Sequence, residues 1–328
     1  NKPLVQAEVG IENLDVNRQD MGFMEISSQW NSQAKALSIK AKSTVTSEQI
    51  QNHPIDLSGY YYPSDTNQNF DIVLKTENFN LKPLQPFLKM AIAELDGFLS
   101  SEIQLKGTTK NPQIQGKLKF IRTRIRPKFF STSYSFSDEI KIEPSKIIFD
   151  QMKINDSLGN IAICDGNITH KNFKDMHLNL RLNLQNFILF NAEPQQIKYV
   201  NGIAFISGQI RAFGPVNNIT IEANATTERG SNIYVPLSST VDVRTSDFVY
   251  FKEPQDTLQI KKVERTNLNV TGFNISSVFS LTPQAKIRVS LPQDAGTIEG
   301  SGEGVMTVEV NSKGDLNITG QYEIQSGS

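Results

Sequence analysis

Apolar and polar residues alternate with a period of two along most of this chain. The clearest run is residues 177–186, where Leu178, Leu180, Leu182 and Leu184 fall on one face of an extended strand. Asn179, Arg181, Asn183 and Gln185 fall on the other. The same alternation returns in Phe70/Ile72/Leu74, Ile103/Leu105, Leu118/Phe120 and Ile219/Ile221/Ala223/Ala225. It continues in Ile287/Val289/Leu291, Met306/Val308/Val310 and Leu316/Ile318. A parallel sheet covered by helices would show near-continuous apolar strands instead. The pattern predicts an all-β chain with one dry and one wet face.

Turn chemistry punctuates the strands. Gly107 with Asn111-Pro112, and Gly214-Pro215 with Asn217-Asn218, each separate two alternating runs: glycine supplies positive φ and proline fixes the turn. The spacing is irregular, unlike a propeller or leucine-rich array, and points to two-strand units stacked along one axis. Helical spacing occurs once, over residues 83–95. Pro83 and Pro86 suit a first turn, Phe87, Leu88, Ala91, Ile92 and Leu95 recur on one face, and Asp96-Gly97 offers a stop. This predicts one short helix interrupting a long β array, with an upstream segment 1–82, a boundary at 83–96 and a second domain at 97–328.

Composition narrows the functions. The chain has 328 residues, more than one compact core usually holds, so two domains or one elongated body are expected. Thirty-three Lys+Arg balance 34 Asp+Glu, for a net charge of −1, which argues against a general nucleic-acid binder. The 33 Ile and 28 Asn fit many strands joined by polar turns. The single cysteine, Cys164, excludes an intrachain disulfide framework and a multi-thiolate zinc site. No apolar run is long enough to span a membrane as a helix. The chain opens on Asn1, as expected of a segment whose targeting sequence lies upstream.

Candidate chemistry is sparse. Gly300-x-Gly302-x-Gly304 precedes a strand pattern rather than the helix a phosphate loop requires, so a glycine-rich edge or turn is the better reading. His170, His177, Asp165 and Asp175 form a weak ligand set, and ordinary polar-face or turn positions are expected for them, with no metal and no cofactor. Cys164, between Ile163 and Asp165, reads as a small side chain on the polar face. No paired carboxylates, serine elbow or Cys–His arrangement is evident, so no catalytic residue is nominated and no enzymatic activity is expected. One charge cluster stands out, Lys117 to Lys128. Arg122, Arg124 and Arg126 are expected on one side with Ile121 and Ile125 on the other, as a contact for anionic headgroups or an acidic barrel rim, or as a solvated face that discourages edge pairing.

Several blocks resemble a known family in their order. The stretch 95–118, with Asp96-Gly97, Gly107, Asn111-Pro112 and Gly116, resembles the opening of the C-terminal domain of the TamB family. Asn155-Asp156-Ser157-Leu158-Gly159-Asn160 followed by Gly166, Ile168, His170 and Phe173 resembles its next block. Residues 202–215 resemble its Gly…Gly…Gly-Pro block, and 226–237 with 247–251 its linking segment. Gly300/Gly302/Gly304 with Gly320, Tyr322 and Ile324 resembles the closing signature. Residues 80–328 carry the resemblance; 1–80 are only generically similar.

The resemblance implies a β-taco, an elongated U-shaped sheet with an apolar concave face, in the AsmA-like lipid-bridge superfamily. It further implies a periplasmic protein whose full-length form is anchored in the inner membrane and meets an outer-membrane BamA/TamA-type β-barrel. Phospholipid acyl chains would pass along the groove between the two membranes. The groove-lining candidates are the alternating residues Ile103, Leu105, Leu118, Phe120, Leu178, Leu180, Leu182, Leu184, Ile219, Ile221, Ile287, Val289, Leu291, Met306, Val308, Val310, Leu316 and Ile318. A chaperone-like groove for nascent outer-membrane strands is the alternative, since both want an apolar trough and an open edge. A secreted β-sandwich adhesin fits less well: it wants clustered exposed aromatics, and the chain has one Trp and only the Tyr60-Tyr61-Tyr62 triplet.

Overall fold

A computed structural model describes residues 6–16, 19–20, 22–47, 50–52, 54–88, 92–128, 130–193, 200–236, 273–290, 296–311 and 316–327. Strands dominate them, and twenty join one sheet. The order follows the chain. Gln6–Ile11 pairs with Phe23–Asn31, then Ala36–Ser47, Asp56–Tyr61, Phe70–Asn80, Ile92–Gly107 and Pro112–Pro127, each antiparallel to the last. Tyr134–Phe136 and Glu139–Glu143 together fill the next place, followed by Lys146–Asn155, Ile161–Lys171, Lys174–Ala192 and Asn201–Pro215. Ile219–Thr227 and Asn232–Pro236 share one place, and Phe273–Leu281 and Lys286–Ser290 run parallel to them. Thr297–Val310 and Leu316–Gly327 complete the array. The all-β reading holds.

The helix is shorter than its spacing predicts. Lys82–Leu84 forms a 3-10 turn and Gln85–Leu88 a single α turn. Ile92 and Leu95 already belong to the strand Ile92–Gly107, where they face Pro127 and Ile125. An isolated helix of this length is marginal in water, whereas a strand here finishes a sixteen-residue ladder, so the long-range pairing wins. The sheet runs on across this point, because Phe70–Asn80 pairs directly with Ile92–Gly107. Among the described residues no helix is long and apolar enough to cross a membrane.

Gly300, Gly302 and Gly304 lie inside the strand Thr297–Val310, opposite Gly327, Ile324 and Tyr322. Buried residues gather in three clusters centred on Tyr134/Phe187/Ile206, Phe190/Ala204/Val235 and Phe136/Met152/Cys164. The other face carries cross-strand ion pairs such as Lys75–Glu102 at 3.6 Å, Lys117–Glu139 at 2.8 Å and Arg211–Glu222 at 3.4 Å, all with exposed side chains.

Candidate functional site

Directly opposed residues of neighbouring strands share a face, so the register shows which side chains line up. One succession starts at the first strand: Val9 faces Ile26, which faces Ala41, then Leu57, Leu74 and Ile103. It continues through Gly116, Ile142, Ile147, Ile168 and Leu178. From Leu182 the succession runs through Ile210, Ala223, Ser277 and Val308 to Ile318. One nearly unbroken apolar face therefore crosses the described sheet from edge to edge.

The register places the alternating candidates on this face. Ile103, Leu105, Leu118 and Phe120 occupy one part, opposite Leu74, Ile72, Ile140 and Leu99. Leu178 to Leu184, Ile219, Ile221, Ile287, Val289, Met306, Val308, Val310 and Ile318 occupy the rest. Leu316 pairs through its backbone with Val310, and Leu291 lies outside the described residues. Leu178, Leu180 and Leu182 are half-buried and Leu184 is buried, while Asn179, Arg181, Asn183 and Gln185 are exposed. Over most of its extent the apolar face is partly covered rather than sealed. Leu180 faces Gly166, at φ +131°, where a Cβ would lie 2.1 Å from the Asn179 carbonyl oxygen, so only glycine fits there.

A line of strand interruptions crosses the sheet. Asn78, Arg122, Gln151 and Asn186 have φ of 48°, 47°, 51° and 47°, and each sits at a register shift. A β-bulge leaves one residue out of the ladder and bends the strand. Here each stray N–H donates to a side-chain oxygen of the neighbouring segment: Asn78 to Ser100 Oγ (3.1 Å), Arg122 to Ser137 Oγ (2.8 Å), Gln151 to Asp165 Oδ1 (2.8 Å) and Asn186 to Ser207 Oγ (2.9 Å). Where strands break rather than bulge, the same device recurs. Ile55 N donates to Ser43 Oγ (3.0 Å), Phe205 N to Ser231 Oγ (3.0 Å) and Thr282 N to Thr227 Oγ1 (3.0 Å). A short polar side chain thus satisfies each of these freed amides.

Side chains far apart in the register meet on the apolar face. The Tyr134 ring stacks on Phe187 with centroids 5.3 Å apart, and its hydroxyl donates to the Leu189 carbonyl oxygen at 2.8 Å. Two strands, Lys146–Asn155 and Ile161–Lys171, separate theirs, a distance of about 14 Å in a flat sheet. Burial pushes the Tyr134 phenol far above its ordinary range, and the nearby Asp156 adds to the effect. Ile318 also packs against the Phe190/Ala204/Val235 cluster. Its own register partners lead to Ile210, six residues, about 20 Å, along the strand from Ala204. Only a folded sheet brings them together.

The bulges also correct two sequence expectations. Ile121 and Ile125 do not share a side: Ile121 faces Phe98 before the Arg122 bulge, whereas Ile125 faces Leu95 beyond it and packs into the core. Arg122, Arg124 and Arg126 lie away from that core, and Arg126 forms an ion pair with Glu94. Cys164 is not on the polar face. It is buried, opposite Leu182 and Met152, because the leucine strand rather than the flanking isoleucines sets its parity. Burial, with Asp165 adjacent, raises its thiol to about 11. Alkylation of the folded protein at neutral pH is therefore expected to be slowed at least ~100-fold relative to the denatured chain; a rate equal in both states would place Cys164 at the surface.

Two polar motifs prove to be turn chemistry. Asp156, 4 % exposed, accepts the N–H groups of Leu158 and Asn160 and the Asn160 side-chain amide, each at 2.9 Å. It also accepts Ile188 N at 2.9 Å, tying the 156–160 turn to the Asn186 bulge. His170 Nδ1 accepts Phe173 N at 3.3 Å with the two rings stacked, and His177 lies beside the Asp175 carbonyl. Among the described residues no three His, Cys, Asp or Glu side chains gather in a metal-binding arrangement. The buried role of Asp156 has a partial signal in sequence, an Asp followed at short range by Gly159-Asn160.

Comparison with known proteins places the arrangement. No curated protein and no solved structure matches the chain. The family model of the TamB C-terminal domain matches residues 150–328, more than half of the chain, and takes in the Asp156 turn, the leucine strand and the closing glycines. The 95–118 block lies upstream of the match. TamB proteins are envelope-associated, non-enzymatic components of the translocation and assembly module, and this chain belongs to their family.

Proposed function

We propose that the apolar face is the concave wall of a U-shaped β-taco that carries phospholipid acyl chains through the periplasm. The carrying observation is the edge-to-edge succession of apolar residues on one face, half-buried at Leu178, Leu180 and Leu182 and backed by exposed polar neighbours. A lipid crossing water must hide its tails, and exposing ten methylenes costs on the order of 8 kcal/mol. A continuous apolar path lowers that barrier with no chemical step. In this reading Arg122 and Arg124 face headgroups or an acidic barrel rim. Residues 1–82 extend the groove upstream of a 97–328 domain. The full-length protein is anchored in the inner membrane by a segment outside this sequence, and its other end meets an outer-membrane TamA-type barrel. Native mass spectrometry of the purified chain tests the reading: bound phospholipid is expected. Bound peptide without lipid would favour a chaperone-like groove and overturn lipid carriage.

A further inference from the structure

Beside the groove, one rim exposes a small apolar projection. Leu84, Phe87 and Leu88 are 36 %, 80 % and 42 % exposed, on the short helical segment between Phe70–Asn80 and Ile92–Gly107. The projection is pinned at its base. Leu81 and Pro83 are buried, Leu81 N donates to the Gly97 carbonyl oxygen at 3.0 Å, and Gln85 Nε2 donates to the Ala93 carbonyl oxygen at 2.9 Å. These contacts hold three large apolar side chains toward water, where hydration opposes them. A pinned apolar projection of this kind is a candidate contact surface.

Charge nearby indicates the partner. The pairing of Ile92 with Pro127, and of Glu94 and Asp96 with Arg126 and Arg124, brings the end of the basic strand against the exit of the helix. Lys82 pairs with Asp96 at 3.7 Å and Arg126 pairs with Glu94, fixing the projection to the same outer face. Arg122, Arg124 and Lys128 are exposed and form no ion pair among the described residues. Apolar side chains that can enter the headgroup–acyl boundary, with exposed cations on the adjoining strand, fit an anionic bilayer surface.

We propose that this rim docks on an anionic phospholipid bilayer, with Phe87 and Leu88 entering the interface and Arg122, Arg124 and Lys128 contacting phosphates. This deepens the headgroup contact proposed above for Arg122 and Arg124, and bilayer docking is tested separately from lipid carriage. Vesicle flotation of the chain tests it, with phosphatidylcholine alone and with phosphatidylcholine–phosphatidylglycerol mixtures. Binding to the mixture is expected, lowered at least ~10-fold by Phe87→Asp and by the pair Arg124→Gln/Lys128→Gln. Only the second loss should shrink at high salt, where the wild type weakens as well. Because Phe87 and these cations are exposed, the thermal unfolding midpoint should not move, and any lipid held in the groove should be retained. Equal binding to both vesicle types, or a Phe87→Asp protein that floats like the wild type, would overturn the proposal. So would flotation that requires an added protein rather than lipid.

Discussion

Leu180→Asp is expected to abolish lipid passage while leaving the protein folded. Leu180 is half-buried on the apolar face, opposite Gly166 and Ala212, and packs against the Phe136/Met152/Cys164 cluster, so a carboxylate there keeps some access to water and costs about 2–3 kcal/mol of stability. For a passing acyl chain the same carboxylate is a charge that must be desolvated or bypassed, and transfer is expected to fall at least ~10-fold. Leu182→Arg acts in the same sense, with a larger stability loss because Leu182 also packs against two core clusters. Asn179→Asp and Asn183→Asp, one residue away on the exposed face, should change transfer less than about 2-fold. The assay is phospholipid exchange between membranes in cells, at matched protein levels. Transfer that survives Leu180→Asp in folded protein would contradict the groove.

The largest effect on stability is expected at Asp156. Its carboxylate accepts four hydrogen bonds while 4 % exposed, so Asp156→Ala strands buried donors in the turn and at Ile188 and should cost about 3–5 kcal/mol. Asp165→Ala removes the partner of Gln151 N at a half-exposed site and should cost about 1 kcal/mol. Urea unfolding midpoints separate the two. Amide exchange should rise at Leu158, Asn160 and Ile188 in the first variant and at Gln151 in the second. Equal midpoints would mean that Asp156 does not hold the turn to the Asn186 bulge.

Much of this was legible in the alternation. The leucine strand, the one-sided burial and the all-β class follow from a period of two, because a pleated strand turns alternate side chains to opposite faces. The line of bulges was not legible. Arg122, Gln151 and Asn186 adopt positive φ without being glycine, and nothing local in their sequence marks a bulge, yet each bulge alters which parity faces the core. That is why Ile121 and Ile125 part company. Cys164 departs from its sequence pattern for a related reason: Ile161 and Ile163 look like the dry face until pairing of Cys164 with Leu182 and of Ala162 with Leu184 fixes the register. The helix was overextended because spacing alone cannot weigh a local turn against a ladder partner thirty residues away. Ser100, Ser137 and Ser207 carry no mark of capping in the sequence, since their role depends on what the neighbouring strand leaves unpaired.

The most direct measurement is site-specific photo-crosslinking along the leucine strand in living cells. A photoreactive side chain at 178, 180 or 182 should capture phospholipid, whereas one at 179, 181 or 183 should not, since a single residue step reverses the face. Past the Asn186 bulge capture should stop, because Phe187 and Phe190 are buried opposite Ile206 and Ala204. Crosslinks that follow this pattern would establish the apolar face as the lipid path. Capture that ignores parity, or that falls on the exposed positions, would contradict it.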